Sequence, residues 1–262
     1  MIPQTLTALD CARACARFGD MLFVTDRPEE VASAAGLRIE RVGSLRSRED
    51  YSRVVQTGLA ACIHTPFVML VQWDGYPVRP ENWTDAFLDH DYIGAPWPQF
   101  PRSIAVGNGG FSLRSKRLLE ACLDSRFQAN HPEDVGICHL NRSLLEAVYG
   151  LRFAPVDLAQ RFSYERMGAP ARAFGFHGLF NMPREMGLDA FLPFFATLDQ
   201  RLIGARELCD VRAVLLHSGE QAARAEARRI LRALLRRRWR DRELWRHARR
   251  LLKGELSGVL SG

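Results

Sequence analysis

The sequence lacks the features that would place it in a membrane, outside the cell or around a structural metal. No stretch approaches the roughly 20 apolar residues that a membrane-spanning helix needs. The first twenty residues do not join a basic start to an apolar run, so we expect no secretory signal. The cysteines, at positions 11, 15, 62, 122, 138 and 209, show neither a CxxC pair nor paired metal spacing. We therefore expect reduced core thiols in a cytoplasmic protein.

The composition is that of a globular chain with an uneven charge. The 262 residues are 47% hydrophobic and 25% charged, which excludes collagen, coiled-coil rods and wholly disordered chains. The net charge of +6 is concentrated in residues 201–262, which hold 16 Lys and Arg against 7 Asp and Glu, whereas residues 1–200 hold 20 against 23. A nucleic-acid partner would therefore have to bind this tail, and it is the least favoured partner.

Short apolar runs alternate with helical spacing at the start of the chain. We predict helices at 5–18, 29–35 and 51–62, and strands at 21–26 and 37–42. The strongest strand, PFVMLVQWDG at 66–75, is apolar without interruption, which is typical of the middle of a sheet. A helix at 115–123 with Ser115 as its N-cap, a helix at 133–149 and a strand at 151–156 are predicted next. This order predicts an α/β fold with helices flanking an open mixed sheet.

Beyond residue 200 the pattern is helical only. Apolar residues at three-to-four spacing lie among arginines at 230–239 and again at 244–252, which predicts a hairpin of two amphipathic helices. We expect one domain over 1–200 and a basic helical tail over 201–262. The apolar positions of the tail, Trp239 and Trp245 included, would pack on each other or on the core, and its basic face would suit anionic lipid at the inner membrane face.

Two segments hold residue types that bind ligands. Asp74 ends the predicted central strand, where the crevice of an open α/β sheet binds ligands, although Asp-Gly is also a common turn dipeptide. GNGGFSLRS, at 107–115, combines glycines that let the backbone approach a ligand with the amide of Asn108 and the cation of Arg114. A glycine-rich turn before a strand can also have a structural role only, without binding a ligand.

Two further segments hold residue types that transfer protons or bind metals. In HPEDVG, Glu133 and Asp134 precede a helix, where one would serve as a general base or both would only favour the helix dipole. His177, in FGFHG, is either a metal ligand or a satisfied core histidine.

These segments, in this order, resemble the GT-A glycosyltransferases. The closer resemblance is to the DUF5672 family, a bacterial group of glycosyltransferase-like proteins that shows much the same run of VQWDGY, ENW, DYIGAPWP, VGNGGFSLRS, PEDVGIC and FGFHG. The order is also similar to that of β-1,3-galactosyltransferase and Fringe-type enzymes. The resemblance implies a GT-A-like, Rossmann-like sheet.

The resemblance also implies a reaction. A sugar would pass from a nucleotide sugar, expected to be a UDP-sugar, to a hydroxyl of a glycan or lipid-linked acceptor, with inversion. The D-x-D place of GT-A enzymes is held here by Gln72-Trp73-Asp74, so only the last acid remains. Asp74 and His177 would hold Mn²⁺ or Mg²⁺. Asp134, or failing that Glu133, would deprotonate the acceptor hydroxyl.

Further roles follow from the same resemblance. GT-A domains begin with a strand that helps to bind the nucleotide base, and here only MIPQ precedes the first predicted helix. Either the start lies inside a longer gene product or the strand is absent. Asp26 is then the remaining candidate to contact the base, and Trp97 would face an acceptor sugar ring or act as a buried wedge. The expected donor contacts are Asp26, Gln72, Asn108, Gly109, Gly110 and Arg114.

The reduced D-x-D motif and the expected lack of a first strand support an alternative of another class. In it, the protein is a catalytically inactive module that binds a sugar nucleotide or a glycan. An Asp134→Ala substitution would then leave all measured behaviour unchanged.

Overall fold

The computed structural model describes residues 1–31 and 36–237. The chain divides into two compact units, of which the first is Met1–His177 and the second begins at Gly178. This boundary lies before the predicted one at residue 200. In the described ranges, no helix combines the length and the apolar character that crossing a membrane requires.

The first unit is a mixed α/β structure of small sheets with flanking helices. Its helices are α1 (Ile2–Cys15), α2 (Arg48–Arg53), α3 (Leu59–Cys62), α4 (Lys116–Ala121), α5 (Glu133–Val135), α6 (Arg142–Tyr149) and α7 (Val156–Phe162). Its strands are β1 (Leu22–Thr25), β2 (Arg38–Arg41), β3 (Phe67–Leu70), β4 (Gly75–Pro77), β5 (Tyr92–Gly94), β6 (Ser112–Ser115), β7 (Ser163–Tyr164) and β8 (Gly175–His177). π-Helical turns, Val54–Gly58 and Gly136–Leu140, join α2 to α3 and α5 to α6.

Three small sheets hold these strands. β1 and β2 pair in parallel, β6 lies between β3 and β5 with antiparallel pairing on both sides, and β8 lies between β4 and β7. β4 runs antiparallel to β8 whereas β7 runs parallel to it. The last sheet therefore brings the start of β4 beside the end of β8.

Most of the predicted elements are present, with shifted or shorter bounds. The predicted N-cap is confirmed, because the Ser115 hydroxyl accepts a hydrogen bond from Leu118 N at the start of α4. The predicted helix at 133–149 contains α5 and α6 and is interrupted by the π turn. In place of the predicted helix at 29–35 there is a 3₁₀ turn, Pro28–Glu30, and residues 32–35 lie outside the described residues.

The predicted strand at 151–156 is wrong. Phe153 forms a single bridge with Tyr92, and α7 begins at Val156. The physical reason is Pro155, which has no backbone N–H to continue a ladder and stands at the N-cap of α7 instead.

The predicted central position of β3 is also wrong, since β3 lies at the edge of its sheet. Its residues Phe67, Val68 and Met69 are only half-buried, although the run is apolar throughout. An apolar run of this kind normally has a neighbour on both sides. The free side of β3 faces a cavity that is described further below.

Aromatic rings form the core beneath the sheets. Phe111 stacks on Phe162 with ring centroids 4.8 Å apart, and Phe87 meets Phe162 edge-on at 5.3 Å. Offset and edge-on pairs each stabilise such a core by about 0.5–1.5 kcal/mol beyond the buried area. Phe111 directly precedes β6, so this packing fixes the start of the strand that carries Arg114.

The second unit is helical in its described part. Its helices are α8 (Met182–Met186), α9 (Leu188–Thr197), α10 (Ala205–His217) and α11 (Gln221–Arg237). α10 and α11 pack on each other across a short connection, so a helical hairpin exists earlier in the chain than predicted. Ile230 and Leu234 are buried as expected, whereas Leu231 is exposed. The predicted positions Trp239 and Trp245 and the helix at 244–252 lie outside the described residues.

Candidate functional site

A tight turn carries Asp74 from β3 to β4. The backbone N–H of Gln72 donates to Gly75 O and the N–H of Gly75 donates to Gln72 O, both at 3.0 Å, so Trp73 and Asp74 form the tip. The turn interpretation of Asp-Gly is therefore correct for the backbone. The Asp74 side chain is nevertheless buried, and its Oδ1 has no hydrogen-bond partner in the described structure. An unpartnered buried carboxylate oxygen is costly unless a ligand meets it.

His177 lies next to Asp74, and Glu165 lies next to the other ring nitrogen of His177. Gly75 pairs with His177 in the sheet register, and His177 Nε2 lies 3.9 Å from Asp74 Oδ2. Because β7 runs parallel to β8, Glu165 follows its strand at the same edge, and its Oε1 lies 3.9 Å from His177 Nδ1. The imidazole therefore lies between two carboxylates.

The glycine segment lets the backbone approach this histidine. A Cβ at Gly110 would lie 2.0 Å from His177 Nε2 and 2.9 Å from Gln72 Oε1. Asn108 adopts a left-handed conformation, with φ of 62°, which Asn tolerates better than most residues. Its Nδ2 donates to Glu165 Oε2 at 3.0 Å, and its buried Oδ1 has no partner in the described structure. We call Asp74, Asn108, Glu165 and His177 the Asp74 cluster.

Burial and charge act differently on the two carboxyls of the cluster. Burial raises the pKa of Asp74, and the nearby His177 offsets only part of this rise. Burial would also raise the pKa of Glu165, but its interactions with His177, Arg166 and Asn108 together outweigh burial and hold that pKa below its usual value. Glu165 therefore keeps a negative charge inside the cluster.

Arg114 and Glu133 form a buried ion pair next to the glycine segment. Arg114 Nη2 donates to both carboxylate oxygens of Glu133, at 3.0 and 3.1 Å, and the two side chains are 0% and 5% exposed. The guanidinium also lies 5.1 Å from the ring centroid of Tyr92. The predicted donor contact of Arg114 and the predicted base role of Glu133 would both require this pair to open. In this structure the pair is internal.

Asp134 is the more accessible of the two adjacent acids. Its Oδ2 accepts a hydrogen bond from Gly109 N at 2.9 Å, and its Oδ1 accepts one from Val135 N at 2.8 Å. Because a carboxylate oxygen has two lone pairs, each oxygen keeps one for a ligand. Asp134 thus lies against the glycine segment and is half-buried.

A buried glutamine holds the segment that carries these acids. Gln56, in the π turn after α2, donates from Nε2 to Asn130 O at 2.9 Å and to Glu133 O at 3.1 Å, and its Oε1 accepts from Asn130 N. Gly136 makes room for it, since a Cβ there would lie 2.4 Å from Gln56 Nε2. The start of α5 is therefore tied to the opposite side of the unit.

The remaining predicted site residues lie in different surroundings. Gln72 donates from Nε2 to the Tyr51 hydroxyl at 2.7 Å and reaches the glycine segment through its Oε1. Asp26 follows β1 and accepts a hydrogen bond from Leu45 N at 2.9 Å, so it is engaged in the backbone after β2. Trp97 is buried and stacks on His139, and a Cβ at Gly107 would lie 2.2 Å from its ring. Trp97 is therefore packed as a buried wedge, which is the second of its two predicted roles.

The chemistry of the Asp74 cluster suits a small hard cation in part. Its unpartnered oxygens, Asp74 Oδ1 and Asn108 Oδ1, and the imidazole of His177 are ligand types that Mn²⁺ accepts. Within the described ranges, however, no three His, Cys, Asp or Glu side chains form a group that would hold a metal alone. A bound cation would therefore need further ligands from a substrate or from water.

The segments that carry these residues lie within a stretch of the chain that matches a protein family. A profile of the family described as "Protein of unknown function (DUF5672)" matches residues 39–177, which is more than half of the chain. The chain belongs to the DUF5672 family. None of the curated proteins matches it. The match ends at His177, so every residue of the Asp74 cluster lies within the DUF5672 domain.

Sequence reasoning missed two residues of this candidate site in the DUF5672 domain. Glu165 follows a two-residue strand, which is too short to show a pattern, and only the parallel pairing of β7 with β8 places it beside His177. Gln56 lies in a segment that reads as a plain amphipathic helix. The π turn that aims its side chain inward leaves no clear signal in the sequence.

Proposed function

We propose that this protein is a glycosyltransferase of the GT-A type that moves a sugar from a nucleotide sugar, a UDP-sugar in particular, to a hydroxyl of a glycan or lipid-linked acceptor. The observation that carries the proposal is the convergence of Asp74, His177 and Glu165 with the glycine segment, against which Asp134 lies. A buried acidic cluster beside a close backbone approach suits a cation and a diphosphate.

The donor would lie along the glycine segment. The glycines bring this backbone against Glu133 and His177, whose side chains fill the space where Cβ atoms of Gly109 and Gly110 would lie. Asn108 and Gln72 would offer hydrogen bonds to sugar hydroxyls. Asp74 and His177 would hold Mn²⁺ or Mg²⁺ together with phosphate oxygens. A divalent cation bound there would neutralise the charge that develops on the departing diphosphate.

Asp134 would act as the general base. The acceptor oxygen attacks the anomeric carbon and its proton passes to Asp134, while the bond from that carbon to the phosphate oxygen breaks and the nucleoside diphosphate leaves with the electron pair. One base without a separate nucleophile gives inversion. Arg114 would serve indirectly, by fixing Glu133 and with it the start of α5.

One observation favours a second candidate function. Both oxygens of Asp134 already accept main-chain hydrogen bonds, which is also what a purely structural aspartate would do. In this alternative the protein is an inactive module that binds sugar nucleotides or glycans. The two functions differ in turnover and agree in binding.

Calorimetry with UDP and UDP-sugars, with and without Mn²⁺, tests the binding that both functions share. We expect Mn²⁺-dependent binding that Asp74→Ala weakens by at least about 100-fold, because even residues behind the ligands are worth about 10- to 100-fold in metal affinity. Asp89→Ala, which changes an exposed aspartate outside the cluster, is the control and should bind as the wild type does. Absence of any nucleotide binding to the wild type would refute the proposal.

A Gly110→Ala variant tests the geometry of the site without changing a charge. Its Cβ would overlap His177 Nε2 at 2.0 Å, so the imidazole must move away from Asp74. We expect Mn²⁺-dependent UDP binding to fall by about 10- to 100-fold, as for other changes that misplace a metal ligand. Gly43→Ala, where no atom lies within 4 Å of the added Cβ, should bind normally. Unchanged binding by Gly110→Ala would remove His177 from the site.

A further inference from the structure

A cavity of about 1090 Å³ runs along β1 and β3 in the first unit. All four residues of each strand line it, together with one face of α1 and apolar residues from the α2–α3 segment. No residue of the Asp74 cluster lines it, whereas Asp26 and Gln72 do. We call this cavity the β1–β3 cleft.

The cleft lies on the free sides of two strands. In the described part of the chain, β1 pairs only with β2, and β3 pairs only with β6. Of those two partner strands, only Arg38 and Leu113 touch the cleft, whereas β1 and β3 line it along their whole length. The cleft is therefore bordered by two unpaired strand edges.

The hydrogen bonds already made show which backbone groups point into the cleft. On the β2 side, Arg38 N donates to Met21 O and Val42 N donates to Thr25 O. The odd-numbered residues in and next to β1 therefore bond to β2. Because successive residues bond to opposite sides, Leu22 and Val24 direct their N–H and C=O groups toward the cleft.

The same alternation applies to β3. Lys116 N donates to Pro66 O, whereas Ser115 N donates to Asp91 O on the β5 side. Even-numbered residues of β6 therefore bond to β3, and Val68 and Leu70 are their partners in the register. Met69 is thus left with its N–H and C=O directed away from β6, toward the cleft.

Apolar side chains form the walls of the cleft. α1 contributes Ile2, Leu9 and Ala12 at helical spacing, and the segment after α2 contributes Val55 and Leu59. An occupant must therefore present apolar side chains to these walls and, at the same time, backbone donors and acceptors to both strand edges. An acyl chain meets only the first requirement.

We propose that the β1–β3 cleft binds a partner peptide in extended conformation with β-branched apolar side chains, which adds a strand between β1 and β3. A segment of about four residues spans roughly 13 Å at about 3.3 Å per residue, the length of the strands that border the cleft. Strand addition of this kind takes its affinity from main-chain hydrogen bonds and its selectivity from pockets for alternate side chains.

Fluorescence anisotropy with the full chain and a labelled eight-residue peptide, four central Val and Ile residues flanked by lysines, tests the proposal. We expect saturable binding and a higher Tm. The same peptide with two N-methylated central amides keeps its apolar surface but loses two N–H donors. Its binding should be about tenfold weaker or more, given the net worth of two hydrogen bonds.

Two threonines of α1 provide a matched pair of variants. Thr5 and Thr7 both bond their hydroxyls to the carbonyl four residues earlier, but only Thr5 lines the cleft. Thr5→Trp should abolish peptide binding because the indole fills the cleft, and Thr7→Trp should leave it unchanged. Equal binding of the methylated peptide, displacement by dodecanoate, or a dimer of the chain that Thr5→Trp dissociates would each overturn the peptide as occupant.

Discussion

An Asp134→Asn variant is expected to lose turnover by about 10²- to 10⁴-fold, the usual contribution of a positioned general base. The amide has the shape of the carboxylate, and its oxygen can still accept from Gly109 N, so the glycine segment should stay in place. The variant loses the ability to take a proton from the acceptor, and its Nδ2 cannot accept the hydrogen bond that Asp134 Oδ1 takes from Val135 N. UDP binding with Mn²⁺ should remain within about twofold of the wild type, because the Asp74 cluster, which would hold the cation, is untouched.

The slow hydrolysis of a UDP-sugar, in which water replaces the acceptor, measures this turnover without knowledge of the acceptor. Asp157→Asn is the matched control, since Asp157 is exposed and pairs only at the surface with Arg102. A wild type that binds UDP-sugar but hydrolyses it no faster than Asp134→Asn would contradict the base role and favour the inactive module.

The site could be predicted in outline because its residues follow the ends of short elements. Asp74 comes directly after the strongest apolar run, and His177 ends an aromatic run. A residue at the end of a strand is placed by the sheet itself, so local signals are sufficient to nominate it. The glycines beside Asn108 were equally visible in the sequence, and the structure requires one at position 110, where a Cβ would lie 2.0 Å from His177 Nε2.

Long-range pairing explains what could not be predicted. Glu165 joins the cluster through β7, a strand of two residues, and Arg114 joins Glu133 across 19 positions of sequence. The sequence alone does not show whether Arg114, beside a glycine turn, forms an internal ion pair or binds a phosphate of a ligand. Burial decides between the two, and burial depends on the whole unit.

The edge position of β3 has the same origin. Its sequence predicts neighbours on both sides, and the structure supplies one, β6, and a cleft. The apolar residues of β3 show that both of its sides need to be buried. They do not show which element buries them, because that depends on the topology of the sheet. The predicted central strand and the proposed strand-binding cleft therefore rest on the same requirement, which is a neighbour on each side of β3.

The largest effect on stability is expected at the buried pair of Arg114 and Glu133. Removing one partner of a buried ion pair typically costs about 3–5 kcal/mol, because the other charge stays in a medium of low polarity. We expect this loss for Glu133→Ala, in which Arg114 has no means of shedding its charge. Urea unfolding of the variant should show it at any pH between 5.5 and 8.

Arg114→Met should behave differently, because Glu133 can take up a proton. Burial already raises the pKa of Glu133 with Arg114 beside it, and loss of the cation raises that pKa further. A carboxyl whose folded pKa exceeds its unfolded value of about 4.3 binds protons more tightly when folded. The variant should therefore lose stability as pH rises from about 4.3 through the raised folded pKa, so its deficit at pH 8 should exceed its deficit at pH 5.5.

The double variant Arg114→Met with Glu133→Leu separates the pair from its surroundings. With both charges replaced by apolar groups, no ion is left buried without a partner, and the loss should be smaller than the sum of the two single losses. Single losses below about 1 kcal/mol would place the pair in a solvated environment, in conflict with its burial. A pH-independent Arg114→Met deficit would show that Glu133 finds another cation.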